Sequence, residues 1–138
     1  MTEPRITADE LSRLLRETIP LTTQVGLRVT SIGWGTCSVL LPASDTTLRA
    51  GGTVSGPALF AIADTALYGA VLSRIGMEPL AVTSDLTLRF LRKPPRADLH
   101  GEGRLLRLGR RQAVGEIQIF GDDRETLVAH ATGTYALP

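Results

Sequence analysis

Apolar positions in this chain follow two periods, and the places where the period changes mark out the elements. Over residues 7–18, Leu11, Leu14, Leu15 and Thr18 fall on one helical face. Thr7 stands as N-cap with Glu10 three residues on, a capping box, and Pro20 follows the helix end. Residues 25–42 read as two strands around Gly33-Trp34-Gly35; in the second, Cys37, Val39 and Leu41 alternate with Thr36 and Ser38 until Pro42 ends it. Residues 43–54 form a polar, glycine-containing loop.

A helix of about 56–75 comes next. Ser55 or Gly56 can cap it, Pro57 suits a first-turn position, and Gly76 closes it. It is apolar nearly all round, so it should lie inside a wrapping sheet. Ala58, Ala61, Ala63, Ala66, Gly69 and Ala70 permit close approach of neighbouring backbone.

Four strands follow. In 81–91, Val82, Leu86, Leu88 and Phe90 share one face, and Thr83, Asp85, Thr87 and Arg89 the other. The pattern in 98–108 is weaker. In 112–120, Ala113, Gly115, Ile117 and Ile119 oppose Gln112, Glu116 and Gln118; in 126–135, Leu127, Ala129, Ala131, Gly133 and Tyr135 oppose Thr126, His130, Thr132 and Thr134. Leu108-Gly109-Arg110 and Gly121-Asp122-Asp123 are turn signals. One helix, two strands, one buried helix and four strands make an α+β layer, with a largely antiparallel sheet around one central helix.

Composition adjusts this picture only in places. The 138 residues suit a single domain, 1–138, and 43% hydrophobic with 21% charged content is that of a folded globular chain. The net charge of +1 selects no partner, but eight of the fifteen basic residues fall between positions 89 and 111, against only Asp98 and Glu102. Such a segment is either a set of solvated strand faces and turns or a site for an anionic, phosphate-bearing ligand. Lone Cys37 cannot form an intramolecular disulfide, which suits a reducing compartment, and its alternating segment assigns it to core packing. The opening residues lack a signal-peptide layout, and the apolar run around Asp64 is too short and too centrally charged for a bilayer span, so a cytoplasmic protein with no membrane partner is expected.

Asp64 is the only formal charge between Arg49 and Arg74. A carboxylate in such a segment is costly unless hydrogen-bonded or paired. It is therefore either a structural polar anchor or a catalytic acid, base or nucleophile. Tyr68, one turn on, is placed to bond it, to line a substrate pocket or to pack in the core. His100 and His130 sit on strand patterns without carboxylates at metal-ligand spacing, no Gly-x-Ser-x-Gly occurs, and Trp34 reads as packing. No metal or cofactor is expected.

The ordered set of motifs resembles a known family. A glycine-opened buried helix holding Ala63-Asp64-Thr65-Ala66 is followed by Ala81-Val82-Thr83-Ser84-Asp85-Leu86-Thr87-Leu88-Arg89-Phe90-Leu91-Arg92-Lys93-Pro94. A Gly109-Arg110-Arg111 hairpin and a terminal Val128-Ala129-His130-Ala131-Thr132-Gly133-Thr134-Tyr135 strand come after it. Over roughly residues 20–136 this is similar to the hotdog-fold acyl-CoA thioesterases of the phenylacetate-degradation type, within the 4-hydroxybenzoyl-CoA thioesterase superfamily. The resemblance implies a long central helix wrapped by a curved antiparallel sheet, with an N-terminal helix. It also implies hydrolysis of an acyl-CoA to the free acid and coenzyme A without a separate cofactor, coenzyme A being part of the substrate. The family's catalytic acid follows the first glycine of its helix by eight residues, the spacing of Gly56 and Asp64. The resemblance thus implies Asp64 as base or nucleophile, the Gly56 N–H as the donor to the thioester carbonyl, and Thr83, two residues before Asp85, as a hydroxyl of the site. Ser55 stands where the family carries His, Pro57 where it carries a second Gly, and Arg49 where many members carry Asn.

Thioester hydrolysis needs an activated water or nucleophile, with donors aimed at the developing oxyanion, and a helix N-terminus offers free N–H groups. Eight helical residues at about 1.5 Å each separate Gly56 from Asp64 by roughly 12 Å. One carbonyl cannot meet both within one chain, so a site using both draws them from two chains. That predicts a homodimer with sites at its interface, alone or as a dimer of dimers. Arg89 and Arg92, ending a strand beside the site, are candidate phosphate partners. The alternative on the same fold is a non-catalytic acyl-CoA-binding or regulatory protein, favoured by Ser55, Pro57 and Arg49. A nucleic-acid partner is not expected, because exposed aromatics do not interleave the basic strands. A hotdog hydratase lacks its Asp-to-His helix spacing.

Overall fold

A computed structural model describes residues 2–138; Met1, at the start of the single domain expected over 1–138, lies outside the described residues. Helix α1 (Ala8–Thr18) opens with the capping box: the Glu10 N–H donates to Thr7 Oγ1 at 3.1 Å and the Thr7 N–H to Glu10 Oε1 at 2.8 Å. Pro20 does more than end α1. It starts a five-residue helix, α2 (Pro20–Gln24), which the sequence pattern did not predict. A proline at the first helical position loses no intrahelical bond.

Strands β1 (Arg28–Gly33) and β2 (Thr36–Leu41) form the hairpin around Trp34, whose ring lies 4.3 Å from the Arg74 guanidinium carbon. The loop after Pro42 holds a 3-10 turn at Asp45–Thr47 and leads into α3 (Gly56–Ile75). Ser55 is the N-cap of α3, its Oγ accepting from the Ala58 N–H at 3.4 Å, and Gly76 is the C-cap with φ +93°. Strands β3 (Val82–Phe90), β4 (Leu99–Leu108), β5 (Gln112–Phe120) and β6 (Leu127–Ala136) complete one six-stranded sheet in the order β1-β2-β4-β5-β6-β3, antiparallel throughout.

The sheet wraps α3, the architecture that the resemblance implies. By length and composition α3 could cross a bilayer, but thirteen of its twenty residues are buried in this fold, so it is the core helix of a wrapped sheet. Small residues set how close helix and sheet come. A Cβ at Gly103 would lie 2.8 Å from the Ala66 carbonyl oxygen, one at Gly101 would overlap Ile62, and one at Gly69 would overlap the Cys37 sulfur. This explains the weak pattern of β4. Two of its helix-facing positions, Gly101 and Gly103, are glycines, and Leu106 sits where the register with β5 shifts and is 52% exposed. Cys37 packs in the core, 1% exposed, and burial pushes its thiol up to about 12, with Glu102 adding to the effect.

Candidate functional site

The open face of α3 is narrow. After half-buried Gly56 at its start, Pro57, Phe60, Ala61 and Asp64, at helical spacing i, i+3, i+4 and i+7, are the exposed or half-exposed positions along its first turns. The helix's only carboxylate lies on that stripe. Asp64 Oδ1 accepts from Thr83 Oγ1 at 2.6 Å and from Tyr135 Oη at 2.8 Å. Two hydroxyl donors thus hold one carboxylate oxygen and fix the side chain's orientation.

Each donor reaches Asp64 for a local reason. Strict alternation puts Thr83 with Asp85 and opposite Leu86, facing away from the helix. The β3–β6 register shifts between Thr83 and Asp85: Thr83 pairs with Tyr135, Asp85 with Thr134 and Leu86 with Gly133. Ser84 is the extra residue of a β-bulge, and one inserted residue exchanges the faces of everything before it. The faces expected for Thr83 and Val82 are therefore corrected. Thr83 turns inward to Asp64, and Val82 turns out, 59% exposed. Tyr135 is 3% exposed, with its ring stacked on Tyr68 at a centroid distance of 5.7 Å. Burial first, then the Asp64 charge, pushes its phenol far above the ordinary tyrosine range, so it stays a protonated donor. The sequence reading placed Tyr135 on the inner face of β6 but did not connect it to Asp64.

Asp64 and Thr83 line a groove of about 370 Å³ with Ile19, Leu21, Pro57 and Phe60 among its walls. A second, separate pocket of about 270 Å³ lies at the N-terminus of α3 and is lined by Gly56, Arg49, Arg92, Lys93 and Phe90. The Gly56 N–H, at the first helical position, stands outside the intrahelical ladder. A Cβ there would meet the Phe90 ring at 3.6 Å, an ordinary contact, so nothing within one chain demands glycine. The predicted residues therefore divide between two pockets on one helix, Asp64, Thr83 and Pro57 in one, Gly56, Arg49 and Arg92 in the other.

Three further candidates stand apart. Ser55 serves as the helix cap. Tyr68 does not bond Asp64; it donates to the Pro79 carbonyl at 3.1 Å and is 4% exposed in the core, where burial raises its phenol. Arg89 pairs with His130 on the outer face of the sheet, because it alternates with Leu88 and Phe90 on the other face. The basic segment also divides. Arg96 pairs with Asp45 at 2.8 Å, and Arg104 joins Glu116, whose other oxygen meets His130 Nε2 at 3.1 Å. Arg92 and Lys93 converge with Arg49 near the helix N-terminus.

Comparisons with known proteins show the family and the fold. Residues 51–128 match the family model described as the thioesterase superfamily. A protein of Silicibacter sp. TM1040 assigned as a thioesterase is 42% identical over 99% of this chain and 94% of its own, with a TM-score of 0.87. A conserved protein of Pseudomonas aeruginosa is 30% identical over 86% of this chain and 93% of its own, with a TM-score of 0.81. A variant of the phenylacetic acid degradation protein of Thermus thermophilus is 25% identical over 86% of this chain and 99% of its own, with a TM-score of 0.78. Among curated proteins none matches. The matched span contains both halves of α3's open face, and the chain belongs to the thioesterase superfamily as a hotdog-fold thioester hydrolase.

Proposed function

We propose that the protein hydrolyses acyl-CoA thioesters at a composite site, with Asp64 of one chain facing the Gly56 N–H of a second. The observation that carries this reading is the state of Asp64. Its Oδ1 is held by two hydroxyls, and the carboxylate is the only charged group lining a largely apolar groove. A carboxylate so held can attack the thioester carbonyl or take a proton from an attacking water. The oxyanion then needs a donor, and the Gly56 N–H at the positive end of the α3 dipole supplies one. Arg49, Arg92 and Lys93 beside Gly56 suit the phosphates of coenzyme A.

The sheet supports the two-chain arrangement. Strand β3 is an edge, and Val82, Phe90 and the adjacent Phe60 are 59%, 52% and 39% exposed. Asp64 contacts the start of β3 through Thr83, whereas Gly56 lies against Phe90 at its end. Pairing two β3 edges about a two-fold axis sets the start of one against the end of the other, which brings Gly56 of each chain towards Asp64 of the other.

Release of free thiol from a panel of acyl-CoAs tests the reading. Turnover by the wild type and its loss by about a hundredfold or more in Asp64→Asn and Asp64→Ala, with the oligomer intact, is the expected outcome. Equal turnover in the variants overturns it. One observation favours a second reading, a binding protein without turnover: Ser55 Oγ is occupied as a cap, and Pro57 has no N–H to offer an oxyanion. Tight acyl-CoA binding with no thiol release by the wild type selects it.

A further inference from the structure

The groove beside Asp64 has six apolar residues in its wall. Ile19 and Leu21 come from the turn into α2 and from α2 itself, Pro57, Phe60 and Ala61 from α3, and Leu86 from β3. Its polar side chains are Asp64 and three threonines, and no lysine, arginine or histidine lines it. Ile19, Leu21 and Phe60 are 38%, 56% and 39% exposed, so three large apolar side chains stand open around one groove. Exposure of that kind at a concave site marks a surface awaiting an apolar occupant.

The outer wall is held in place. The Ile19 N–H donates to the Leu15 carbonyl at 2.8 Å, tying the turn to the end of α1. Thr22 donates to the Ile19 carbonyl through both its N–H, at 3.1 Å, and its Oγ1, at 2.8 Å, and its own carbonyl accepts from the Leu27 N–H at 2.9 Å. Thr22 is buried, so α2 is pinned from beneath while Leu21 stands over the groove.

We propose that α2 is the acyl-selectivity element of this enzyme: Leu21 and Ile19 limit the length and bulk of an uncharged, apolar acyl group whose carbonyl lies at Asp64. The inference rests on the thioesterase reading given above and adds the substrate class. An acyl group ending in a carboxylate is rejected, because the groove sets it near Asp64 and offers no cation. An aliphatic or aryl group replaces water along Leu21, Phe60 and Leu86.

The test uses Leu21→Ala, Leu21→Trp and Ile19→Ala, with saturated acyl-CoAs of increasing length, phenylacetyl-CoA and succinyl-CoA. Leu21→Ala is expected to move the kcat/KM optimum to longer or bulkier acyl groups, changing the long-to-short ratio by about tenfold, and Leu21→Trp to move it the other way. Succinyl-CoA is expected to be turned over about a hundredfold less well than the uncharged acyl-CoA of equal length. Kd values for non-hydrolysable thioether analogues of the same series, read on the same proteins, should shift in parallel. A length profile unchanged in both Leu21 variants, or a wild-type preference for succinyl-CoA, overturns the proposal. Thiol release absent from every wild-type assay removes the hydrolytic reading alone; the thioether series then still decides whether α2 selects the acyl group.

Discussion

At Asp64 two hydroxyls converge on one oxygen, and this asymmetry has a kinetic consequence. With Oδ1 accepting from Thr83 at 2.6 Å and Tyr135 at 2.8 Å, Oδ2 is the oxygen free of both hydroxyls. In the proposed function Thr83 and Tyr135 act through Asp64 as positioning residues. Tyr135→Phe removes one donor while keeping the ring stacked on Tyr68, so the fold should survive. We expect kcat to fall by about tenfold with KM changed less than about twofold, because misplacement of the reacting group costs rate before it costs binding. Thr83→Val should act in the same sense, and Thr83→Ser, which restores the hydroxyl, should recover most of the rate. A loss confined to KM, or equal rates in Thr83→Val and Thr83→Ser, contradicts this assignment. The eight-residue spacing of Gly56 and Asp64 was readable from the chain, but the Tyr135 contact was not. It joins residues 71 positions apart and depends on which strand lies beside β3.

At the scale of elements, legibility followed how locally each signal is written. The capping box of α1, the caps of α3 and the alternation in β5 and over Ala129 to Tyr135 of β6 are set by neighbours in sequence, and each stands where the pattern placed it. Leu127 does not: the β5–β6 register shifts at Val128, which is itself buried, and Leu127 pairs with Phe120, so its expected inner-face place is corrected. The bulge at Ser84 has no such mark. The extra residue is accommodated by pairing with β6, and it alone turns Thr83 inward. Helix α2 was hidden because Pro20 reads equally well as a stop for one helix or a start for the next. β4 was faint because its inner face was reduced to glycine where α3 presses on it. On the outer face, Glu116 ties three strands together by accepting from Arg104 Nε on β4 at 2.7 Å and meeting His130 on β6 at 3.1 Å. Hydrogen bonds from His130 first, then Arg104, hold its carboxyl below the ordinary 4.5. A depressed folded-state value means the tie contributes stability above pH 4.5 and loses it as pH falls below that. Glu116→Gln should therefore lower Tm at pH 7, by no more than about 1 kcal/mol of stability for a half-buried tie on the outer face of the sheet. The gap should narrow as the pH falls below 4.5. A gap that widens in acid refutes the tie.

For the whole molecule, the proposed function gives one helix both halves of a site that it cannot use alone. Gly56 and Asp64 line different pockets at different points of α3, and the exposed edge of β3 runs from one half to the other. Burial of α3 on its remaining faces is what confines the proposed chemistry to this edge. Two defective chains can then repair each other. Asp64→Asn removes the acid; Gly56→Val keeps the fold, since a Cβ there meets only the Phe90 ring at 3.6 Å, but crowds the approach to the donor. Each homodimer should be inactive. In a mixed dimer, purified through a different affinity tag on each chain, the intact Gly56 of the first chain faces the intact Asp64 of the second, and both defects collect in the other site. The mixed dimer should therefore recover about half the wild-type turnover, the share of one site in two. If Gly56 and Asp64 instead served the same chain, every site in the mixed dimer would carry one defect and no activity would return, so the measured recovery separates a shared site from a private one.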